Sequence, residues 1–87
     1  MSVEISHYCN NTNPNDIVVS IGRLDLFFSY ETIVAFRDDE LSCCRVNSWG
    51  PTTGKHLNAI QPDKSKRVSG EIFEDRLAEM LRAYNLA

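Results

Sequence analysis

The feature that most constrains the fold is a change in hydrophobic period about halfway along the chain, at Trp49-Gly50-Pro51. Before this point, apolar residues fall in short runs that are rich in β-branched and aromatic side chains and are separated by polar residues. After it, apolar residues recur every three or four positions. The first pattern is typical of β-strands and the second of amphipathic helices. The sequence therefore predicts strands first and helices second.

The strand-like runs lie close together, which favours antiparallel hairpins joined by short turns. Gly22-Arg23 and Asp38-Asp39-Glu40 are two such turns. Residues 10–16 are rich in asparagine and predict a loop. The runs of strand composition are residues 3–8 (a short edge strand), 17–21, 24–30, 32–37 and 41–46. We expect three or four antiparallel strands.

Two helices are predicted after the change in period. Thr53 is placed to cap a short helix that ends before Pro62, and Ser69 is placed to cap a longer helix over residues 70–86. The longer helix carries one apolar stripe, made of Phe73, Leu77, Met80, Leu81 and Tyr84.

Together these elements predict one small α+β domain over residues 1–87. Its small antiparallel sheet of three to four strands is followed by a short helix and a C-terminal amphipathic helix packed on one face. The other face of the sheet must then be solvated or must bind something.

Composition argues against several classes of protein. The chain has 87 residues, of which 43% are hydrophobic and 24% charged, as expected of an ordinary folded domain. No apolar run approaches the roughly 18–20 residues of a membrane span. The first residues also lack the basic and apolar segments of a signal peptide. We therefore expect a cytoplasmic protein with no membrane partner. The net charge of −3 argues against a dedicated duplex DNA binder.

No cofactor, metal site or catalytic residue is predicted. His7 and Cys9 form one close pair of zinc-ligand types, and nothing nearby completes the set. Gly50 to Lys55 resembles a phosphate loop, but three residues instead of four separate its glycines, and His56 replaces the metal-binding hydroxyl. A nucleophile, its base and an orienting acid cannot be assigned from the sequence. We therefore expect the protein not to be an enzyme.

Residues 47–58 are the densest concentration of specific residue types and include the only tryptophan. Junctions between elements often carry function. Trp49 either covers the sheet or is exposed as an interface anchor. His56 is either a site residue or a satisfied histidine at the edge of the core. Our first hypothesis is a partner-binding surface composed of Tyr30, Trp49, Thr52, Thr53, Lys55 and His56.

The chain has one basic concentration, which is either a solvated loop or a patch for nucleic-acid phosphates or an acidic protein surface. Its members are Lys55, Lys64, Lys66 and Arg67. The alternative hypothesis is therefore a small nucleic-acid-binding module. Exposed strand edges also make a homodimer an open possibility.

Two motifs resemble those of short proteins encoded by phages and other mobile elements. The first is Ser29-Tyr30-Glu31-Thr32, and the second is Thr52-Thr53-Gly54-Lys55-His56. That group is an uncharacterised domain family, so the resemblance implies an origin and assigns no catalytic residues. Small acidic phage proteins often act on host machinery, including CRISPR defence. The resemblance thus implies a non-enzymatic protein in the host cytoplasm that blocks or modulates a host protein, in the manner of an anti-CRISPR inhibitor.

Overall fold

The computed structural model describes residues 2–9 and 15–87, and it shows a five-stranded antiparallel sheet between two helices. The strands are β1 (Val3–His7), β2 (Ile17–Ile21), β3 (Leu24–Ser29), β4 (Thr32–Arg37) and β5 (Ser42–Cys44). The helices are α1 (Pro51–Ile60) and α2 (Gly70–Ala83), with a short 3-10 helix (Lys64–Lys66) between them. The strand order is β1-β2-β3-β4-β5, so each strand pairs with its neighbours in sequence.

The α+β class is confirmed, but the sheet has five strands where three or four were predicted. The extra strand is the edge strand β1, which pairs in regular register with β2 although all five of its residues are exposed. Main-chain hydrogen bonds hold β1 in place, and hydrophobic patterning does not report such bonds. Of the loop predicted over residues 10–16, residues 10–14 lie outside the described residues.

The two helices cover opposite faces of the sheet. On the α2 face, Phe73, Leu77 and Met80 pack against strand residues that include Leu26 and Phe36. On the α1 face, Leu57 packs in a separate cluster formed by Val18, Phe27, Val34, Ala35 and Cys44. The sheet face that we expected to be solvated or to bind something is therefore covered in part by α1.

A β-bulge in β4 shapes the end of the sheet nearest α1. Phe27 pairs with Ala35 and Phe28 pairs with Ile33, so Val34 is the extra residue. The carbonyl of Val34 instead accepts a hydrogen bond of 3.1 Å from the Arg45 amide. A bulge bends its strand and changes the direction of nearby groups. Here it ties the β3–β4 hairpin to the segment that leads into α1.

The predicted helix ends are partly confirmed. The Ser69 hydroxyl caps α2 by accepting a hydrogen bond of 3.4 Å from the Ile72 amide, and α1 ends at Ile60, before Pro62. The prediction that Thr53 caps α1 is wrong, because the helix begins at Pro51 with Gly50 as its N-cap. Proline suits the first helical position because its fixed φ is already helical. In the part of the chain that the structure describes, no helix has the length and apolarity to cross a bilayer.

The two edges of the sheet, at β5 and at β1, differ in whether another segment pairs with them. Beside β5, the Val46 amide donates to the Val68 carbonyl at 2.8 Å and the Val68 amide donates to the Cys44 carbonyl at 2.9 Å. These bonds form a parallel bridge at Arg45 that extends pairing past β5. No strand lies outside β1 among residues 2–9 and 15–87. Within the described residues, the edge at β5 is thus covered and the edge at β1 is open.

Phe73 provides a test of the assigned core. It is fully buried, whereas its neighbour Ile72 on the same helix is 47% exposed. Phe73→Ala should lower the free energy of unfolding by about 3–5 kcal/mol, because it leaves a cavity under α2. Ile72→Ala is the matched control and should change that free energy by about 0.5 kcal/mol or less. Urea unfolding followed by circular dichroism measures both, and equal losses would contradict the assigned face of α2.

Candidate functional site

A buried polar cluster, Ser29, Thr53 and His56, joins β3 to α1. The Ser29 Oγ lies 2.9 Å from Thr53 Oγ1 and 2.7 Å from His56 Nδ1. The three residues are 3%, 5% and 0% exposed. Thr53 and His56 stand three positions apart on a helix and therefore share a face. One hydroxyl from the first sequence motif thus connects to two side chains of the second.

The imidazole of His56 is held in its neutral form. Burial lowers the pKa of His56, and the opposing effect of the Asp16 charge is smaller. The rings of Tyr8 and Tyr30 flank the imidazole at centroid distances of 5.9 and 6.2 Å. The His56 Nε2 has no hydrogen-bond partner among the described residues. His56 therefore acts as an uncharged hydrogen-bonding group inside the fold.

A buried carboxylate anchors the end of β1 beside this cluster. Asp16 is fully buried. Its Oδ1 lies 2.9 Å from His7 Nδ1, and its Oδ2 accepts a bond of 2.6 Å from the Cys9 amide. Burial alone would raise the pKa of Asp16, but the bonds from His7 and Cys9 together lower it below the usual value. Tyr8 lies between His7 and Cys9 in the sequence, and its hydroxyl donates to the Phe28 carbonyl at 2.6 Å.

An open groove of about 460 Å³ lies next to the buried cluster. We call it the aromatic groove; its lining includes Ser29 and Thr53 from the cluster together with Tyr30, Glu31 and Trp49. Tyr30 and Trp49 are 48% and 45% exposed. The groove therefore combines two exposed aromatic rings, one carboxylate and two hydroxyls of low exposure.

Tyr30 is held in a strained backbone conformation. It is the first residue of the two-residue loop between the paired residues Ser29 and Thr32, and its φ is 56°. A residue with a side chain at this φ costs of order 1–3 kcal/mol and persists only where its surroundings impose it. Its amide donates to the Asn15 carbonyl at 3.0 Å. Such strain is concentrated at functional sites in proteins.

Trp49 is fixed by contacts on its ring and on its backbone. The Arg45 guanidinium carbon lies 4.6 Å from the indole centroid. The same guanidinium lies 3.5 Å from the Glu74 carboxylate of α2. The guanidinium fits there because residue 70 is glycine: an added Cβ at Gly70 would come within 2.5 Å of Arg45 Nη2. The Trp49 amide donates to Asn47 Oδ1 at 2.8 Å. The indole is thus pre-positioned although almost half of it is exposed.

The structure divides the predicted partner-binding residues. Tyr30 and Trp49 line the aromatic groove with exposed rings. Thr53 and His56 are buried, and of the two only Thr53 lines the groove. Thr52 is half-buried and Lys55 is exposed, and neither lines the groove.

Five residues of the groove lining were absent from the predicted surface: Asn15, Ser29, Glu31, Thr32 and Val34. Ser29 carries a signal that sequence reasoning could have used. It ends a strand whose buried positions are otherwise apolar, and a buried hydroxyl requires a hydrogen-bond partner. The sequence does not show where that partner lies.

The residues of the predicted basic patch line different grooves. Lys64 and Arg67 line a small groove of about 280 Å³, whereas Lys66 lines a different cavity and Lys55 lines neither. Arg67 also has internal partners, because its guanidinium donates to Asn58 Oδ1 at 2.8 Å and to the Gln61 carbonyl. Only part of the predicted set is therefore brought together.

The pKa values of Cys9 and Cys44 are shifted in the direction opposite to that of an activated thiol. All three are free, and burial raises the pKa of Cys44 to about 11. The pKa of Cys9 is also raised, by burial and by the charge of Asp16. Within residues 2–9 and 15–87, no group of three or more His, Cys, Asp or Glu side chains is arranged to hold a metal ion.

The buried cluster predicts the effect of removing its shared hydroxyl. Ser29→Ala conserves the size of the side chain but removes the hydrogen bonds of Thr53 and His56 to Ser29. Because unsatisfied buried polar groups are costly, the free energy of unfolding should fall by about 1–3 kcal/mol. Ser48→Ala, at an exposed position, is the control and should have little effect. Urea denaturation measures both, and an unchanged Ser29→Ala midpoint would show that the cluster is not stabilising.

Burial of His56 predicts a dependence of stability on pH. Its pKa in the folded protein lies below the ordinary 6.5, so below that pH the unfolded chain binds a proton that the folded chain resists. The stabilisation that comes from neutral His56 is complete above pH 6.5. It declines as the pH falls from 6.5 toward the pKa of His56 in the folded protein. Asp16 affects stability only at lower pH, below its ordinary pKa of 3.8, because its pKa in the folded protein is lowered. In urea titrations between about pH 7.5 and about pH 5, His56→Asn should show a shallower decline than the wild type. Equal slopes would contradict this assignment.

Comparison with known proteins gives one result for the whole domain. No curated protein matches the chain, and no solved structure matches it. A family model does match, over residues 3–75, which include both motifs, the aromatic groove and the first residues of α2. The chain therefore belongs to the family of unknown function DUF8033.

Proposed function

We propose that this chain is a non-enzymatic binding domain that docks on another protein through the aromatic groove. The observation that carries the proposal is the pair of exposed, pre-positioned rings: Tyr30 at φ 56° and Trp49 beneath Arg45. Tyrosine and tryptophan are enriched among the residues that dominate interface energetics. Holding them rigid before binding lowers the entropy lost on association.

The lining of the groove favours a partner that presents a basic side chain. Glu31 lies in the same groove as the two rings. Lysine and arginine are attracted both to aromatic faces and to carboxylates. The stacking of Arg45 on Trp49 at 4.6 Å is an internal example of this contact. The net charge of −3 also favours approach to a basic surface.

A catalytic reading of Ser29 and His56 is less well supported. Their separation of 2.7 Å is that of a nucleophile and its base. However, a substrate must reach the hydroxyl, and Ser29 is only 3% exposed. An orienting acid would bond to His56 Nε2, which has no partner in the described part of the chain. The pair is better explained as the link that holds α1 against β3.

The proposal extends to biological role. The two motifs resemble those of short phage and mobile-element proteins, and the chain is small and acidic. A domain of this kind would act in the host cytoplasm by blocking or modulating a host protein, including a component of a defence system. The groove supplies the contact surface, and the basic anchor on the partner supplies the specificity.

Quantitative capture from host extract tests the proposed function. Wild-type protein should retain one partner, and both Tyr30→Gly and Trp49→Ala should reduce its capture by at least about tenfold, equivalent to about 1.4 kcal/mol of binding energy. Tyr30→Gly suits the positive φ and should keep the fold while removing the ring. Leu41→Ala, at a residue that is 60% exposed and lies outside the groove, is the matched control and should bind as wild type. A partner retained equally by all four proteins would refute the groove as its site.

A second candidate, nucleic-acid binding, is favoured by the groove that Lys64 and Arg67 share with Asn47 and Asn58. Labelled single-stranded and duplex oligonucleotides test it by fluorescence titration at several salt concentrations. Micromolar affinity that falls steeply with salt and is lost in a Lys64→Ala/Lys66→Ala variant would support it. This variant leaves the internal hydrogen bonds of Arg67 intact. A flat titration of the wild type would exclude this candidate.

A further inference from the structure

We propose that two copies of this chain form a twofold dimer in which their β1 strands pair antiparallel around Ile5. The two five-stranded sheets would then become one continuous sheet. This proposal is independent of the proposed function, since no residue that lines the aromatic groove belongs to β1. It rests on the open edge of the sheet, the direction of its main-chain groups and the side chains it presents.

Among the described residues, the β1 edge has little of the usual protection of an exposed strand. Natural edge strands avoid pairing with other chains by means of charged side chains (especially lysine), proline, bulges or a covering segment, and of these β1 carries one carboxylate, Glu4. β1 contains neither lysine nor proline, and its register with β2 is regular over all five residues. The opposite edge, at β5, is extended by Val68.

The hydrogen bonds at the two ends of β1 show which main-chain groups face outward. The Gly22 amide donates to the Ser2 carbonyl at 3.2 Å, and the Tyr8 amide donates to the Asp16 carbonyl at 3.2 Å. Bonded and non-bonded residue pairs alternate along an antiparallel ladder. Even-numbered residues of β1 therefore bond to β2, and the odd-numbered residues direct their amides and carbonyls to the open edge. Those outward residues are Val3, Ile5 and His7.

One symmetric register satisfies these groups. With Ile5 opposite Ile5 of the second copy, Val3 falls opposite His7, and all five residues of β1 are paired. Each of these outward-facing pairs can form two main-chain hydrogen bonds. The same register places Glu4 opposite Ser6. A register centred on Glu4 would instead set two carboxylates against each other, which is unfavourable.

The side chains support the same arrangement. Val3 and Ile5 are 59% and 68% exposed. In register they lie beside Ile21 and Val19 of β2, and Ile21 packs against the α2-face core. The two residues thus carry the apolar α2 face out to the edge. Dimerisation brings together the two Ile5 side chains, and this apolar contact continues from one copy into the other.

Sedimentation measurements test the dimer. The wild type should sediment as a dimer of 9.9 kDa protomers at tens of micromolar and above. Ile5→Lys sets two charges against each other across the axis and should shift the dissociation constant by at least about a hundredfold. Glu4→Gln changes the adjacent residue, which faces Ser6, without adding a lysine to the edge, and should stay dimeric. Circular dichroism confirms that each variant is folded. A wild type that remains a monomer at about 100 μM, or equal weakening by both variants, overturns the proposal.

Cross-linking tests the register independently. In a bonded antiparallel pair the Cα atoms are about 5.5 Å apart, within the roughly 4.4–6.8 Å that a disulfide spans. In a Cys9→Ser background, Ile5→Cys should therefore form a covalent dimer under mild oxidation. Val3→Cys, which falls opposite His7, is the matched control and should not couple to itself. Coupling through position 3 in preference to position 5, or through neither position, would be incompatible with the Ile5-centred dimer.

Discussion

The hydroxyl of Ser29 is the point on which the arrangement of the site depends. It bonds to both Thr53 and His56, and so it fixes α1 against the end of β3. Because these groups are buried, leaving any of their hydrogen bonds unformed would cost free energy. The bonds therefore impose a defined geometry on the contact between α1 and β3, which apolar packing alone does not. Tyr30 follows Ser29 directly, and its ring lies beside His56. The most polar part of the interior therefore sets the position of the most exposed aromatic residue.

This arrangement links the two motifs, residues 29–32 and residues 52–56, through the interior of the fold. Each motif supplies part of the buried cluster and part of the surface around it. In the first, Ser29 faces inward and Tyr30 outward, whereas in the second His56 is buried and Lys55 is exposed. Alternation on a strand and rotation on a helix allow neighbouring residues to divide these roles. The buried residues stabilise the fold, and the exposed residues can contact solvent or a partner.

Much of the fold could be predicted because hydrophobic period depends on local sequence alone. The strands and the stripe on α2 follow directly from it. The two-sided placement of the helices could not, since α1 presents only Leu57, Ile60 and a few polar residues to its face of the sheet. Thr53 was predicted as a cap because its local context permits one. Its actual partner, Ser29, is 24 residues away in the sequence. Long-range pairing of polar side chains thus accounts for what local reasoning missed at the site.

The two walls of the aromatic groove have different mechanical supports. Tyr30 stands on the tip of the β3–β4 hairpin, whose course is set by the bulge at Val34. Trp49 is braced by Arg45, which reaches Glu74 on α2. Arg45 thus connects Trp49, in one wall of the groove, with α2.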